Sequence, residues 1–339
     1  MVNISIVGAG AISQEAYLPA LEEIEQARLQ YVVDLDEERA ARLATEYGAV
    51  GHRANYLDAL DETDAVIVAT PPGSHADVSR ACLESDVHVF TEKPVAVSSE
   101  VAAELVELAT SRDRHFAISR QYRETPVCQL LTTMLESEAL DDLAEFSITF
   151  GDETHWGFRS DYRMNRAAAG GGVLTDKGEH PLDVLLWLFG NEWELHRYCD
   201  DNYGGLEANA SLELAFPAVG VNGTVEITGT RDLSNELVLR GNRSRLRGDP
   251  GGKELVLERS DTNEQTTIEA TRSVPNSYLV RVGYQAKRFI DAVAGEEPTY
   301  VPAASGVEVR RLIETCYEQR QSMVHSWEQP GLERATEVS

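Results

Sequence analysis

The chain has 339 residues, 42% of them apolar, with 57 acidic against 30 basic side chains and a formal net charge of −27. That length exceeds the roughly 250–300 residues at which a single core stops growing, so two domains are expected. The negative charge argues against nucleic acid or an anionic membrane as a partner, because like charges repel.

The acids are dispersed rather than gathered in a tail, and only four of the basic residues are lysines. This composition resembles that of proteins from salt-loving cells, where about 1 M salt shortens the Debye length to roughly 3 Å and quenches self-repulsion. Cys82, Cys128, Cys199 and Cys316 show no CxxC spacing, so neither a metal site nor a disulfide framework is expected. A strand starts at Val2 with no room for a signal segment, and no apolar run nears the roughly 20 residues of a membrane span. A cytoplasmic protein is expected.

Residues 1 to about 122 alternate β-rich runs (Val2 to Val7, Leu29 to Val33, Ala65 to Ala69, Val87 to Phe90, His115 to Ser119) with helical patterns. That alternation predicts a doubly wound parallel sheet of Rossmann type. Gly8 and Gly10, followed by Ala11, Ile12 and Ser13, sit between the first strand and a helix and give GxGxxS, a dinucleotide fingerprint with serine in the third small position. Asp34 ends the second strand, where a carboxylate accepts from both adenosine ribose hydroxyls and repels a 2'-phosphate. NAD is therefore favoured over NADP, with Arg39 one turn later as the residue that leaves NADP open. Thr70, Pro71, Pro72, Gly73, Ser74 and His75 form the loop after the next strand and are expected to wall the cofactor site.

Glu92, Lys93 and Pro94 follow the Val87 to Phe90 run, at the strand end that lines the ligand crevice of such a sheet. A lysine is notable there in a chain that uses arginine almost everywhere else. From residue 123 the pattern changes to a helix (Val127 to Leu135), a strand (Ala144 to Phe150), a glycine-rich stretch with a helix, and further strands at Glu207 to Ala215, Gly223 to Thr230, Glu236 to Arg240 and Glu254 to Arg259. With closing helices near Tyr278 to Ala294 and Gly306 to Ser322, this predicts an α+β domain over 123–325 with an open, mostly antiparallel sheet, then a tail over 326–339.

Gly170 to Gly172 lead into a segment in which Asp176, His180 and Asp183, at i, i+4 and i+7, are expected to share one helix face. An imidazole with an unperturbed pKa near 6.5 takes a hydroxyl proton near neutral pH, and a lysine beside it favours the neutral, basic form. Lys93, Asp176 and His180 thus suit alcohol oxidation. Lys177 lies inside the same motif.

Taken together, GxGxxS, Thr70-Pro71-Pro72 with His75, Glu92-Lys93-Pro94, and Asp176-x-Gly178-x-His180-x-x-Asp183 resemble the Gfo/Idh/MocA oxidoreductases. The resemblance spans residues 1 to about 325. It implies Lys93, Asp176 and His180 as the catalytic trio, with His180 the general base, Asp176 holding the substrate hydroxyl and Lys93 positioning substrate and tuning charge. Cofactor contacts follow from Gly8, Gly10, Ala11, Ile12, Asp34, Thr70, Pro71, His75, Glu92 and Lys93. Arg123 matches an arginine after the last Rossmann strand in relatives, and Asp161-Tyr162-Arg163 resembles their Asp-Trp-Arg segment, so Arg123, Tyr162 and Arg163 are expected near the substrate with Asp176 and His180.

Ser119-Arg120-Gln121-Tyr122 departs from a Gly-Phe-Asn-Tyr-like segment, and Tyr162 replaces a frequent tryptophan. Substrate identity is therefore not inherited from any one relative, and His155 and Trp156 are further candidates for the pocket wall. The resemblance implies a homodimer or homotetramer formed through the second sheet. The expected activity is NAD-dependent oxidation of a secondary hydroxyl of a sugar, cyclitol or related polyol. Two alternatives are an NAD-retaining enzyme that cleaves or eliminates glycosides and a non-catalytic NAD-binding regulator.

Overall fold

A computed structural model describes residues 1–137, 140, 142–153, 165–201, 206–270 and 277–323. Its first sheet has six parallel strands: β1 (Val2–Val7), β2 (Ala27–Val33), β3 (Gly51–Arg53), β4 (Ala65–Val68), β5 (His88–Thr91) and β6 (Phe116–Ile118), in the order β3-β2-β1-β4-β5-β6. The order reverses beside β1, and in such sheets the ligand crevice lies at the carboxyl ends near that switch. Four helices, α1 (Leu18–Glu23), α2 (Glu37–Glu46), α3 (His75–Glu84) and α4 (Ser99–Ser111), connect these strands. Strand β4 is buried along its whole length, as expected where helices cover both faces.

The second sheet has nine strands. Its members are β7 (Glu145–Gly151), β8 (Glu194–Asp200), β9 (Asn209–Phe216), β10 (Val221–Thr228), β11 (Glu236–Arg240), β12 (Ser244–Gly248), β13 (Glu254–Arg259), β14 (Glu264–Glu269) and β15 (Gln321–Ser322), ordered β14-β13-β12-β11-β7-β10-β9-β8-β15. Pairing is antiparallel except between β7 and β10 and between β8 and β15. The doubly wound parallel sheet followed by an α+β domain with an open, mostly antiparallel sheet, as expected from the pattern, is therefore the observed architecture. One face of this sheet is covered by α5 (Pro126–Glu136), α7 (Glu179–Phe189) and part of α9 (Ala304–Glu318), with Phe146, Phe189 and Phe216 meeting at the centre. A short helix, α6 (Arg166–Ala169), precedes the glycine-rich stretch.

The long helix α8 (Tyr278–Val293) packs back on the parallel sheet. Val282, Ala286, Phe289 and Ile290 join the core beneath β1 and β4, and a Cβ on Gly283 would stand 2.6 Å from that of Ala20 in α1, so only glycine allows this approach. Residues far apart in sequence thus complete the first core, and this ties the two sheets together around the cleft between them.

Five observed strands carry no clear alternation in the sequence. β3 is three residues long with no apolar run, and β14 is a solvated edge with five of six residues exposed. Neither has a buried face to impose period 2. β12 and β15 are similarly short, while β8 buries only its last three residues.

Candidate active site

A cleft of about 1150 Å³ opens at the carboxyl ends of the parallel strands and reaches the second sheet. At its first end the chain leaves β1 through Gly8, whose φ of +97° and 2.6 Å approach of a would-be Cβ to the Ala69 carbonyl oxygen admit no side chain. Gly10, by contrast, has nothing within 4 Å of its Cβ position, leaving open space where the helix begins. The free N–H groups at such a helix start suit a phosphate group.

Asp34 closes this end. Its carboxylate accepts hydrogen bonds from the N–H of Ala9 at 2.7 Å, the N–H of Asp36 at 2.9 Å and Arg39 Nη2 at 2.7 Å. Burial works to raise its pKa, but the bonds from Arg39, Asp36 and Ala9 outweigh it and hold the carboxyl below its usual range. Arg39 also meets Asp36 at 3.2 Å, so its guanidinium is occupied by two carboxylates. Gly8, Gly10, Ala11, Ile12, Asp34, Thr70, Pro71, His75, Glu92 and Lys93 all line the cleft. These residues fit a dinucleotide: an open glycine at the helix start and an ionised acid at the end of β2.

His75 does no more than form part of the wall. Its buried ring spans from the Thr70 carbonyl to the Pro94 carbonyl, 2.7 Å on each side, and so clips the loop after β4 to the loop after β5. Burial lowers its pKa, against the two carbonyl contacts. Glu92 accepts from the buried Tyr17 hydroxyl and, at 3.2 Å, from the N–H of Lys93. The strand end that carries Lys93 is thereby held from two directions.

Asp176 lies on a π-helical turn, Leu174–Gly178, that runs directly into α7. Lys93 Nζ donates to the Asp176 carbonyl and stands 3.5 Å from its carboxylate. His180 sits in the same cleft, its ring 5.1 Å from that of Tyr122 and 6.3 Å from that of Phe150. Burial pushes the imidazole pKa well below 6.5, and the cations Lys93, Arg120 and Arg281 push it further the same way. The neutral ring is the form that persists near neutral pH.

Asp183 does not line the cleft with Asp176 and His180. The π turn that carries Asp176 ends at Gly178, before the α-helical winding that carries His180 and Asp183, and π turns of this kind recur at functional sites. Asp183 is buried and held by Arg123, Nη2 to Oδ1 at 2.7 Å and Nε to Oδ2 at 2.9 Å, with Arg120 Nε at 3.2 Å. Arg123 does not line this cleft. Its guanidinium is committed to Asp183 and lies 5.5 Å from the Trp187 ring, outside the cleft. Asp161, Tyr162, Arg163, His155 and Trp156 lie outside the described residues.

Several residues that shape the site carried no motif. Arg120, fully buried, meets Glu179 at 2.5 Å beneath His180. Arg281 donates to Gln121 at 2.9 and 3.2 Å, which anchors α8 under the cleft. Glu207 is buried and accepts from the N–H groups of Gly172 and Leu174, at 3.1 and 3.0 Å, and from Tyr317 at 2.7 Å. A Cβ on Gly172 would stand 2.3 Å from the Glu207 carbonyl oxygen, so the glycine run is a packing requirement that lets this carboxylate hold the turn bearing Asp176. No local signal links position 207 to 172. A signal was available for Tyr122, which stands just past the carboxyl end of β6.

Among the described residues, no group of three or more His, Cys, Asp or Glu side chains could hold a metal, and no helix is long and apolar enough to cross a membrane. Residues 2–119 match the model of an oxidoreductase family with an NAD-binding Rossmann fold, and residues 128–251 match the GFO/IDH/MocA C-terminal domain. Oxidoreductase P35 of Formosa agariphila is 24% identical over 253 residues, 72% of this chain and 78% of that protein. D-xylose 1-dehydrogenase (NADP(+)) 2 of Haloferax volcanii is 24% identical over 325 residues, 94% of this chain and 97% of that one. Three further curated relatives align over only 55%, 54% and 52% of their own length. In fold, the chain is similar to aldose-aldose oxidoreductase from Caulobacter crescentus, with a TM-score of 0.82 at 20% identity, covering 94% of this chain and 97% of that one. With a nucleotide-type cleft on the parallel sheet and both family models matched in order, the chain belongs to the Gfo/Idh/MocA family of NAD(P)-binding oxidoreductases.

Proposed function

We propose that the protein is an NAD-dependent dehydrogenase that oxidises a secondary hydroxyl of a sugar, cyclitol or related polyol. The observation that carries this reading is the meeting of Lys93 and Asp176 beside a His180 whose neutral form is favoured by burial and by neighbouring cations. His180 accepts the hydroxyl proton as general base. The Asp176 carboxylate holds that hydroxyl in place, and the Lys93 ammonium steadies the negative charge that grows on the oxygen as the proton leaves. A nicotinamide bound in this cleft would supply the acceptor for the hydride that leaves the same carbon. The imidazolium so formed faces three cations and passes its proton readily to solvent.

Gly8, Gly10, Ala11 and Ile12 would hold the pyrophosphate, Asp34 the adenosine ribose, and the Thr70-Pro71 loop with His75 and Glu92 the nicotinamide end. NAD is preferred because Asp34 is ionised where a 2'-phosphate would sit and because Arg39 is engaged by Asp34 and Asp36. The Haloferax relative is named for NADP(+), so the preference needs its own measurement. The division into a nucleotide-binding domain over 1–122 and a substrate domain over 123–325 belongs to the same reading, with α8 returning to complete the first core. So does assembly into a homodimer or homotetramer through the second sheet, which sedimentation velocity tests; a monomer at micromolar concentration overturns it. Four buried, unpaired cysteines suit a reducing compartment such as the cytoplasm.

The deciding experiment is a screen of aldoses and inositols with NAD and with NADP at high and low salt, following NADH or NADPH absorbance. Turnover with NAD on one of them is the expected result. No turnover on any polyol by protein that binds the cofactor overturns the reading, and release of free sugar from glycosides without net NADH identifies the redox-neutral alternative.

A further inference from the structure

We propose that Lys177 and Asp152 form a subsite for a vicinal diol, so that the substrate is a neutral polyol with adjacent hydroxyls beside the carbon that reacts. The inference deepens the dehydrogenase reading above and rests on it.

Asp176 and Lys177 are consecutive on the π turn and face different sheets. Asp176 meets Lys93 at the end of β5, while Lys177 donates to the Asp152 carbonyl at 2.8 Å and to its carboxylate, just past the end of β7. The two pairs are carried by consecutive residues of the turn, and Lys93, Asp176, Lys177 and Asp152 all line the same cleft. Phe150, whose ring neighbours His180, is two residues before Asp152, and the bend between them needs Gly151, where a Cβ would stand 2.2 Å from the Thr228 carbonyl oxygen. The strand end thus passes from the reacting site directly to the second pair.

Both side chains line the cleft, and they differ in exposure: the Lys177 side chain is 14% exposed and that of Asp152 is 72% exposed. An ammonium has three donors, and Asp152 takes two of them, leaving one for the cleft among the described residues. Most of the Asp152 carboxylate stays open to accept. Asn235, also on the cleft wall, accepts the Gly151 N–H through Oδ1 at 2.9 Å, which turns its amide NH₂ outward as a further donor. Donor beside acceptor matches two neighbouring hydroxyls, one accepting from the ammonium and one donating to the carboxylate. A sugar phosphate would bring its charge against Asp152, and the pair has no surplus positive charge to offset that. Burial lowers the Lys177 pKa to about 8, against the pull of Asp232, so the ammonium form is held at neutral pH and fades above it.

The test compares wild type, Lys177→Gln, Asp152→Asn and, as a surface control, Lys253→Gln. Steady-state kinetics with NAD use D-glucose, myo-inositol, their deoxy analogues lacking one of two neighbouring hydroxyls, and glucose 6-phosphate. Calorimetry of each polyol with NADH-loaded protein reads the subsite without turnover. Lys177→Gln is expected to weaken binding and raise KM roughly 10-fold or more for intact diols, with kcat changed less than about threefold, as loss of a hydrogen bond from a charged group requires. The matching deoxy analogue is weak in wild type already and indifferent to the substitution. Glucose 6-phosphate is poorer than glucose in wild type and gains on Asp152→Asn. Identical constants for wild type and Lys177→Gln, or a preference for the phosphate in wild type, overturn the subsite alone. Failure of every polyol to bind or turn over in wild type overturns the dehydrogenase reading with it.

Discussion

The parallel sheet has histidines of lowered pKa near both of its ends, and the cleft described above opens at the carboxyl end. At the carboxyl end, the clip residue His75 and the cleft residue His180 stand near Lys93. At the amino end, His88 and His115 stack at 5.0 Å, His88 Nδ1 accepts the His115 N–H at 2.8 Å, and His115 meets the Tyr300 hydroxyl at 2.9 Å. Burial is the leading cause of the shift at both ends. A perturbed histidine therefore marks a site only with a cleft, a charged partner and a ring nitrogen that a ligand can reach.

The sharpest break of this comparison is expected from His180→Ala. Loss of a general base costs about 10²–10⁴ in kcat, while NADH affinity, read by its fluorescence, stays unchanged. A mutant that kept most of its activity would move the chemistry away from His180. Lys93→Met comes next, at about 10² in kcat, with a second signature. Removing a cation that helps to depress the His180 pKa raises it, so the acid limb of kcat/KM moves to higher pH. An unmoved limb would mean that Lys93 does not set the charge of the base.

At the far end of the same cleft, Asp34→Ala is expected to weaken NAD by roughly 10- to 100-fold, the range for hydrogen bonds to a charged group, and to narrow the gap with NADP because Arg39 is released. Isothermal titration with both cofactors checks it, and unchanged affinity for both would remove Asp34 from the ribose site.

Much of this cleft was legible because its parts are local. Gly8, Asp34 and Lys93 each stand at the end of a buried strand whose apolar run announces it, and strand ends are where a parallel sheet binds. The i, i+4 spacing of Asp176 and His180 was likewise readable. The pairing of Arg123 with Asp183 was not readable, because a buried arginine takes whichever carboxylate the tertiary fold supplies. Glu207 and Arg281 depend on pairs between 33 and 160 residues apart, and the return of α8 to the first sheet on still more distant ones such as Gly283 with Ala20; no periodicity carries such information.

The smallest expected effect belongs to the amino end of the sheet. His88 Nδ1 accepts the His115 N–H, so a second proton would have to displace that bond, and burial, with His115 and Arg114 beside the ring, lowers its pKa to about 4. The unfolded chain takes up that proton near pH 6.5 while the folded chain does so only near 4. Between those values the unfolded state binds more protons, so the contribution of His88 is complete above pH 6.5 and is lost as the pH falls toward 4. His75, His115 and His180 shift in the same direction and add to the slope. His88→Gln keeps an acceptor for the His115 N–H and has no proton to gain. Its melting temperature is therefore expected to fall less than that of wild type between pH 7 and 5, by roughly 2 °C, with activity at pH 7 unchanged. Equal slopes for the two proteins would show that this end of the sheet tolerates the imidazolium, and an activity loss at pH 7 would show that the two ends are coupled.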